Sequence, residues 1–195
     1  MTLSKRVSII DARLHHDAWS NLKTVTLDYQ RRDGHWQRQV REIYDCGHGV
    51  AILLYDVLRR TVILTRQFRC AQFLDGCEQL LVEAPAGMLE GAVPEERIKA
   101  EAEEETGYRV RDVERVLEAY MSPGAVTQKV VCFVAPYTPA DRVSEGGGLA
   151  EEGEDIEVLE LDFDDALSMI ADGRIRDGKT IMLLQYAALN IFRAA

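Results

Sequence analysis

A chain of 195 residues, 47% hydrophobic and 29% charged, has the size and makeup of one globular domain with a full core and room for a short N-terminal extension. Its net charge of −10 argues against a nucleic-acid partner, because phosphate backbones are bound by a surplus of Lys and Arg. No apolar run is long enough to span a bilayer and none follows residues 1–6 as a leader would require, so a cytoplasmic protein with no membrane partner is expected.

Residues 22–29 alternate and carry β-branched side chains, Asp33-Gly34 is a hairpin signal, and residues 36–44 read as the returning strand. These strands predict an antiparallel N-terminal ribbon, residues 1–48, ahead of a main domain, residues 49–195. Residues 50–55 and 61–65 are nearly continuous apolar runs around a short connection, which predicts a hairpin of buried strands. The four cysteines, Cys46, Cys70, Cys77 and Cys132, lack C-x-x-C spacing and nearby paired histidines, so four free thiols are expected rather than a zinc site. Residues 79–83 read as a strand ended by Pro85 and Gly87. Pro94 suits a first helical turn, Glu95 and Glu96 sit where the helix dipole favours negative charge, and Gly107 is placed to end that helix. Residues 113–120 and 129–135 read as strands. Residues 144–154 read as an acidic loop around Gly146-Gly147-Gly148. A strand over 156–161 and helices over 163–171 and 179–192 complete the chain. Hairpins mixed with helices predict an α/β fold: a mixed sheet with helices on both faces, plus the ribbon.

The chemistry concentrates on the helix that Pro94 opens. Glu101, Glu104 and Glu105 have the i, i+3, i+4 spacing that shares one helix face. Three such carboxylates repel one another, and a hard divalent cation reverses the sign of that interaction. On charge alone the commoner reading is a solvated acidic face with pairs such as Glu95–Lys99 and Arg97–Glu101. A second acidic stretch, residues 143–173, contains no Lys or Arg.

The stretch from Gly87 to Tyr108 resembles the Nudix box, in which a Gly and a Glu precede Arg-Glu-apolar-x-Glu-Glu-x-Gly-apolar. Here Glu101, Glu104, Glu105, Gly107 and Tyr108 match. The pattern departs at Ala100, where the box has its Arg, and around Val93, where the earlier Glu is missing and the spacer is one residue shorter. Arg66-Gln-Phe-Arg69, Glu83-Ala-Pro-Ala-Gly87, Tyr120-Met-Ser-Pro-Gly124 and Glu154-Asp-Ile-Glu-Val158 resemble the ADP-ribose pyrophosphatase branch of that superfamily. Arg41-Glu42-Ile-Tyr-Asp45 and Ile175-Arg-Asp-Gly-Lys179-Thr180 are similar to its GDP-mannose hydrolase subgroup.

The resemblance implies a Nudix fold and hydrolysis of a nucleoside diphosphate sugar, with Mg²⁺ as cofactor and Mn²⁺ as a substitute. It implies Glu101, Glu104, Glu105 and Glu154 as catalytic, with Glu152 the alternative loop carboxylate. Metal ligands would be Glu101, Glu105, Glu154 and the main-chain carbonyl of Ala86. Substrate would be met by Trp19, Arg41, Glu42, Arg69, Ala86, Gly87, Met88, Gln128 and Lys179. Gln128 stands where the family has Glu; it can hydrogen-bond but cannot act as a base. In the family the ribbon crosses to a second subunit, so the implied assembly is a homodimer with exchanged ribbons. The glycines of the acidic loop suit a lid that closes on substrate. Alternatives remain: a solvated hairpin connection for that loop, a core or interface position for Trp19, and a surface position for Arg69. An ADP-sugar specificity, or a non-catalytic nucleotide-sugar sensor on the same fold, is also open.

Overall fold

Ten β-strands and four α-helices run along residues 2–193, the residues described by this computed structural model. They divide into two units, Met1–His48 with Tyr120–Lys129, and Gly49–Ala119 with Val130–Ala195.

In the first unit β1 (Val7–Asp17), β2 (Asn21–Gln30) and β3 (Trp36–Asp45) form an antiparallel sheet in that order. The Asp33-Gly34 turn forms as its sequence predicts: Gly34 takes φ 90° and its N–H donates to the Arg31 carbonyl at 3.1 Å. The ribbon is a three-stranded sheet rather than the expected pair. The sequence hides β1 because its register shifts between Ile9 and Asp11 and again between Leu14 and His16. Each bulge inserts a residue and breaks the period-2 pattern. Residues 120–129 dock on β3. Tyr44 N–H donates to the Ala125 carbonyl at 2.8 Å, and Thr127 Oγ1 donates to Asp45 Oδ1 at 2.7 Å.

The second unit is built on a seven-stranded mixed sheet. The main path runs β10 (Glu157–Asp162), β5 (Thr61–Gln67), β4 (Gly49–Asp56), β9 (Lys129–Pro136), β8 (Glu114–Tyr120). Two short strands, β6 (Leu81–Glu83) and β7 (Ala86–Met88), pair antiparallel with β5 and β4. β4 and β9 are parallel, and β4 with β5 forms the expected hairpin. Asp56 Oδ1 stabilises that hairpin's turn by accepting from Leu58 and Arg59 N–H. The helices are α1 (Cys70–Leu74), α2 (Pro94–Thr106), α3 (Phe163–Ala171) and α4 (Gly178–Asn190).

Strand alternation divides the core between the sheet's two faces. Val50, Ile52 and Leu54 of β4 cluster with Ile98 and Ala102 of α2 and with Phe133 of β9. The intervening Ala51 and Leu53 are fully buried on the opposite face, and α4 packs on β4 through its apolar side, with Leu183, Leu184 and Ala187 fully buried. Aspartate caps open α3 and α4. Asp162 accepts from Asp164 and Asp165 N–H at the start of α3, and Asp177 accepts from Thr180 N–H at the start of α4. Gly107 ends α2 at φ 77°. All four cysteines are free thiols, and burial pushes Cys132 up to about 12. Among the described residues no helix is long and apolar enough to cross a membrane.

Candidate active site

The acidic face of α2 is not solvated. Glu101 is 4% exposed and Glu105 1%, while Glu104 is half-buried. The cause is β7, which passes across that face. A Cβ on Gly87 would overlap the Glu101 carboxylate, so any larger residue there would displace that carboxylate. Ala86 N–H donates to Glu105 Oε2 at 3.3 Å. Glu101 Oε1 is buried with no hydrogen-bond partner among the described residues. Arg97 Nη2 lies 2.5 Å from that oxygen as an ion pair without hydrogen-bond geometry. Arg97 also approaches Glu104 Oε2 at 3.5 Å and donates through Nε to the Met88 carbonyl at 3.3 Å. The guanidinium that the box places at position 100 therefore comes from one turn earlier. The expected Glu95–Lys99 pair is absent; Lys99 pairs with Glu96 at 3.7 Å.

Burial pushes the Glu101 carboxyl up to about 7; Arg97 opposes the shift, and Glu104, Glu154 and Glu152 add to it. Burial also holds Glu105 well above the usual carboxylate range, with Glu101, Glu83 and Glu154 reinforcing and Arg69 opposing. Among the described residues no group of three or more Asp, Glu, His or Cys side chains is gathered closely enough to hold a metal ion. The donor set nevertheless suits a hard cation. It offers carboxylate oxygens, one of them buried and unsatisfied, in a cluster whose mutual repulsion a divalent charge offsets.

The acidic loop is fastened to the end of α2. Gly147 N–H donates to the Glu105 carbonyl at 2.9 Å and Gly148 N–H to the Glu104 carbonyl at 3.0 Å. Val143 N–H donates to the Gly107 carbonyl at 2.8 Å. These bonds satisfy carbonyls that a helix end otherwise leaves open. A Cβ at Gly107, Gly146 or Gly148 would clash with neighbouring atoms. Gly107, Gly146 and Gly148 thus serve close backbone approach. Glu154 Oε2 accepts from Leu149 N–H at 2.9 Å. Its charge acts on both Glu101 and Glu105, whereas Glu152 acts on Glu101.

Two cations meet one buried carboxylate nearby. Glu83, at the end of β6, accepts from Arg69 Nε at 2.7 Å and from Lys179 Nζ at 2.6 Å. Lys179 also pairs with Asp177 at 3.0 Å. Burial alone would pull Lys179 down, but Glu83 and Asp177 outweigh it and hold the ammonium above its ordinary value. Burial likewise pulls Arg69 down, and Glu83, with Glu105 and Asp177, together outweigh it and raise the guanidinium above its ordinary value. Sequence reasoning placed Arg69 and Lys179 but missed Glu83, whose signal was its place in the Glu-Ala-Pro-Ala-Gly turn. It also read Arg97 only as a helix ion pair.

Comparison with known proteins places this arrangement. The chain is 50% identical over 189 residues to a GDP-mannose pyrophosphatase of Pectobacterium atrosepticum, covering 96% of this chain and 97% of that protein. It is 46% identical to one from Salmonella arizonae and 44% to one from Escherichia coli O1:K1 / APEC, each over 96% of this chain and 98% of the relative. The chain belongs to the GDP-mannose pyrophosphatase family of Nudix hydrolases. Residues 6–44 separately match the family described as "GDP-mannose pyrophosphatase NudK N-terminal domain".

That family segment carries three of the site residues implied by the Nudix resemblance. Trp19, between β1 and β2, is 71% exposed, which removes the core reading for it. Arg41 and Glu42 lie exposed on β3; Arg41 Nη1 donates to the Val40 carbonyl at 2.9 Å and Nη2 to Gln39 Oε1 at 3.0 Å. Gln128 belongs to the segment docked on β3, where its carbonyl accepts from Met121 N–H at 3.2 Å. In the Nudix domain itself, Ala86, Gly87 and Met88 form β7 against α2, with Glu101, Glu104 and Glu105 opposite them.

Proposed function

We propose that this chain hydrolyses the diphosphate linkage of GDP-mannose to GMP and mannose 1-phosphate, as a Mg²⁺-dependent cytoplasmic homodimer with exchanged N-terminal ribbons. The observation that carries the reading is the pairing of opposites on one set of elements. Buried Glu105, one helical turn from buried Glu101, acts electrostatically on Arg69, one of the two cations tied to Glu83. A diphosphate that arrives with a divalent cation needs both, an oxygen cradle for the metal and cationic donors for its own oxygens. The relatives' activity on GDP-mannose selects the nucleotide sugar.

Glu101, Glu105, Glu154 and the Ala86 carbonyl would hold Mg²⁺, with Mn²⁺ able to replace it. When bound, the cation neutralises diphosphate charge and lowers the pKa of an attacking water. Glu104 orients the cluster through Arg97. Glu154, whose carboxylate is braced by Leu149 N–H, would act on the metal or on the attacking water. The forked donors of Arg69 and the ammonium of Lys179 bind phosphate oxygens, and Trp19 offers an exposed aromatic face to the base.

The direct test measures phosphate-ester products from GDP-mannose and ADP-ribose with Mg²⁺, Mn²⁺ or chelator. The expected result is turnover only with metal and a kcat/KM for GDP-mannose at least about tenfold above that for ADP-ribose, which corresponds to about 1.4 kcal/mol. Higher efficiency on ADP-ribose would reassign the substrate, and no metal-dependent turnover of any nucleotide sugar would remove the enzyme reading.

Ribbon exchange is supported by the apolar side chains that the first unit leaves exposed, among them Ile9, Leu14, Trp36 and Val40, each about half exposed or more. If Arg41 completes the partner's site, inactive Arg41→Ala and Glu105→Gln proteins regain activity when mixed and allowed to exchange subunits. One site of each mixed dimer then carries neither defect. Lack of recovery in a confirmed mixed dimer would place Arg41 in its own subunit's site.

A further inference from the structure

Glu83 is 1% exposed, and none of the roles above requires it to touch substrate. A buried carboxylate is costly unless its oxygens are bonded, and here both are: Oε1 by Arg69 Nε and Oε2 by Lys179 Nζ. Its backbone is fixed as well. Thr65 Oγ1 donates to the Glu83 carbonyl at 3.1 Å. The next residue, Ala84, donates its N–H to Thr180 Oγ1 at 2.7 Å, and that hydroxyl donates to Asp177 Oδ2 at 2.6 Å. The carboxylate is therefore anchored between β5 and the start of α4.

The two cations are differently committed. Only Nε of Arg69 is bonded among the described residues; its two Nη groups are unused and its side chain is 40% exposed. Lys179 spends two of its three donors on Glu83 and Asp177. A purely structural ion pair would have no need to leave the fork of the guanidinium facing outward. Bidentate recognition of phosphate needs that edge free and its plane fixed.

We infer that Glu83 is a positioning residue whose carboxylate holds Arg69 and Lys179 as a two-cation seat for the diphosphate of the substrate. The inference rests on the diphosphate-hydrolase reading above, and its test separates the two. Glu83→Gln keeps the volume but turns an amide N–H toward one of the cations, which displaces it. In the full-length protein with Mg²⁺, this variant should raise KM for GDP-mannose and Kd for inorganic pyrophosphate about tenfold while kcat changes less than about threefold, since ground-state and transition-state binding fall together. In an Arg69→Ala/Lys179→Ala background, adding Glu83→Gln should cost nothing further, because residues acting as one unit are not additive. Glu83→Asp, which keeps the charge, should recover part of the loss and supplies the measurement if the Gln variant does not fold.

A full additional loss in the double-alanine background, or unchanged pyrophosphate affinity in Glu83→Gln, would each overturn the positioning role. Wild-type protein that binds pyrophosphate but turns over no nucleotide sugar would sink the substrate reading and leave the seat intact. Wild-type protein that does not bind pyrophosphate would sink the seat.

Discussion

Replacing Glu105 by Gln is expected to lower kcat/KM for GDP-mannose about 10³-fold, a loss of about 4 kcal/mol of transition-state stabilisation. The same substitution should leave the metal-free protein as stable as before or more so. Glu105 is 1% exposed and its neighbours Glu101, Glu83 and Glu154 are all acidic. Its charge is therefore held against both burial and repulsion, and a neutral amide of the same shape relieves them. Its side-chain hydrogen bond from Ala86 N–H can be kept by the amide oxygen. Steady-state kinetics and thermal melts in chelator test the pair of effects. Undiminished Mg²⁺-dependent turnover would remove Glu105 from the metal site, and a large fall in the metal-free Tm would show that it holds the fold together instead.

Removing the metal should also make stability depend on pH in an unusual direction. Glu101 has an unfolded value near 4.5 and a folded value of about 7. Between these values the folded protein keeps a proton that the unfolded chain has released. The stabilising contribution is thus complete below about pH 4.5 and is lost as pH rises through about 7, a change on the order of 3 kcal/mol. Glu105 shifts in the same direction. In chelator, Tm should fall from pH 5 to pH 8. Saturating Mg²⁺ should raise Tm more at pH 8 than at pH 5, since binding to the folded state alone stabilises it and requires the carboxylates to be ionised. Glu101→Gln should flatten the metal-free slope. Identical slopes in wild type and Glu101→Gln would mean that the trend comes from the protein's general negative charge.

How much of this could be read from the chain depended on the distance over which each feature is determined. Helix α2 was legible from Pro94 at its start and Gly107 at its end, and its carboxylate spacing is local. Its burial was not legible, because that depends on β7 crossing at Gly87, and β7 itself is three residues beside a proline that read as a turn. β1 was hidden by its two bulges. Gly146 to Gly148 were visible as glycines, but whether they bend freely or pack tightly depends on the open carbonyls of Glu104 and Glu105. The Glu83 cluster draws on side chains 14 and 96 positions away, a separation that no periodicity records. Resemblances outside the Nudix box, to the ADP-ribose pyrophosphatase branch and to the GDP-mannose hydrolase subgroup, supplied Arg69 and Lys179 one at a time; only the fold joins them through Glu83.

Ala100 and Arg97 bear on how other members of this family are judged. A search for working enzymes that insists on arginine in the column before the first box glutamate would discard this chain as decayed. Here the positive charge has moved three positions along the helix, almost one full turn, and still reaches both Glu101 and Glu104. In this chain that positive charge stands one helical turn before the box position and meets the same glutamates. An alignment column cannot follow such a move, but a guanidinium-to-carboxylate distance can.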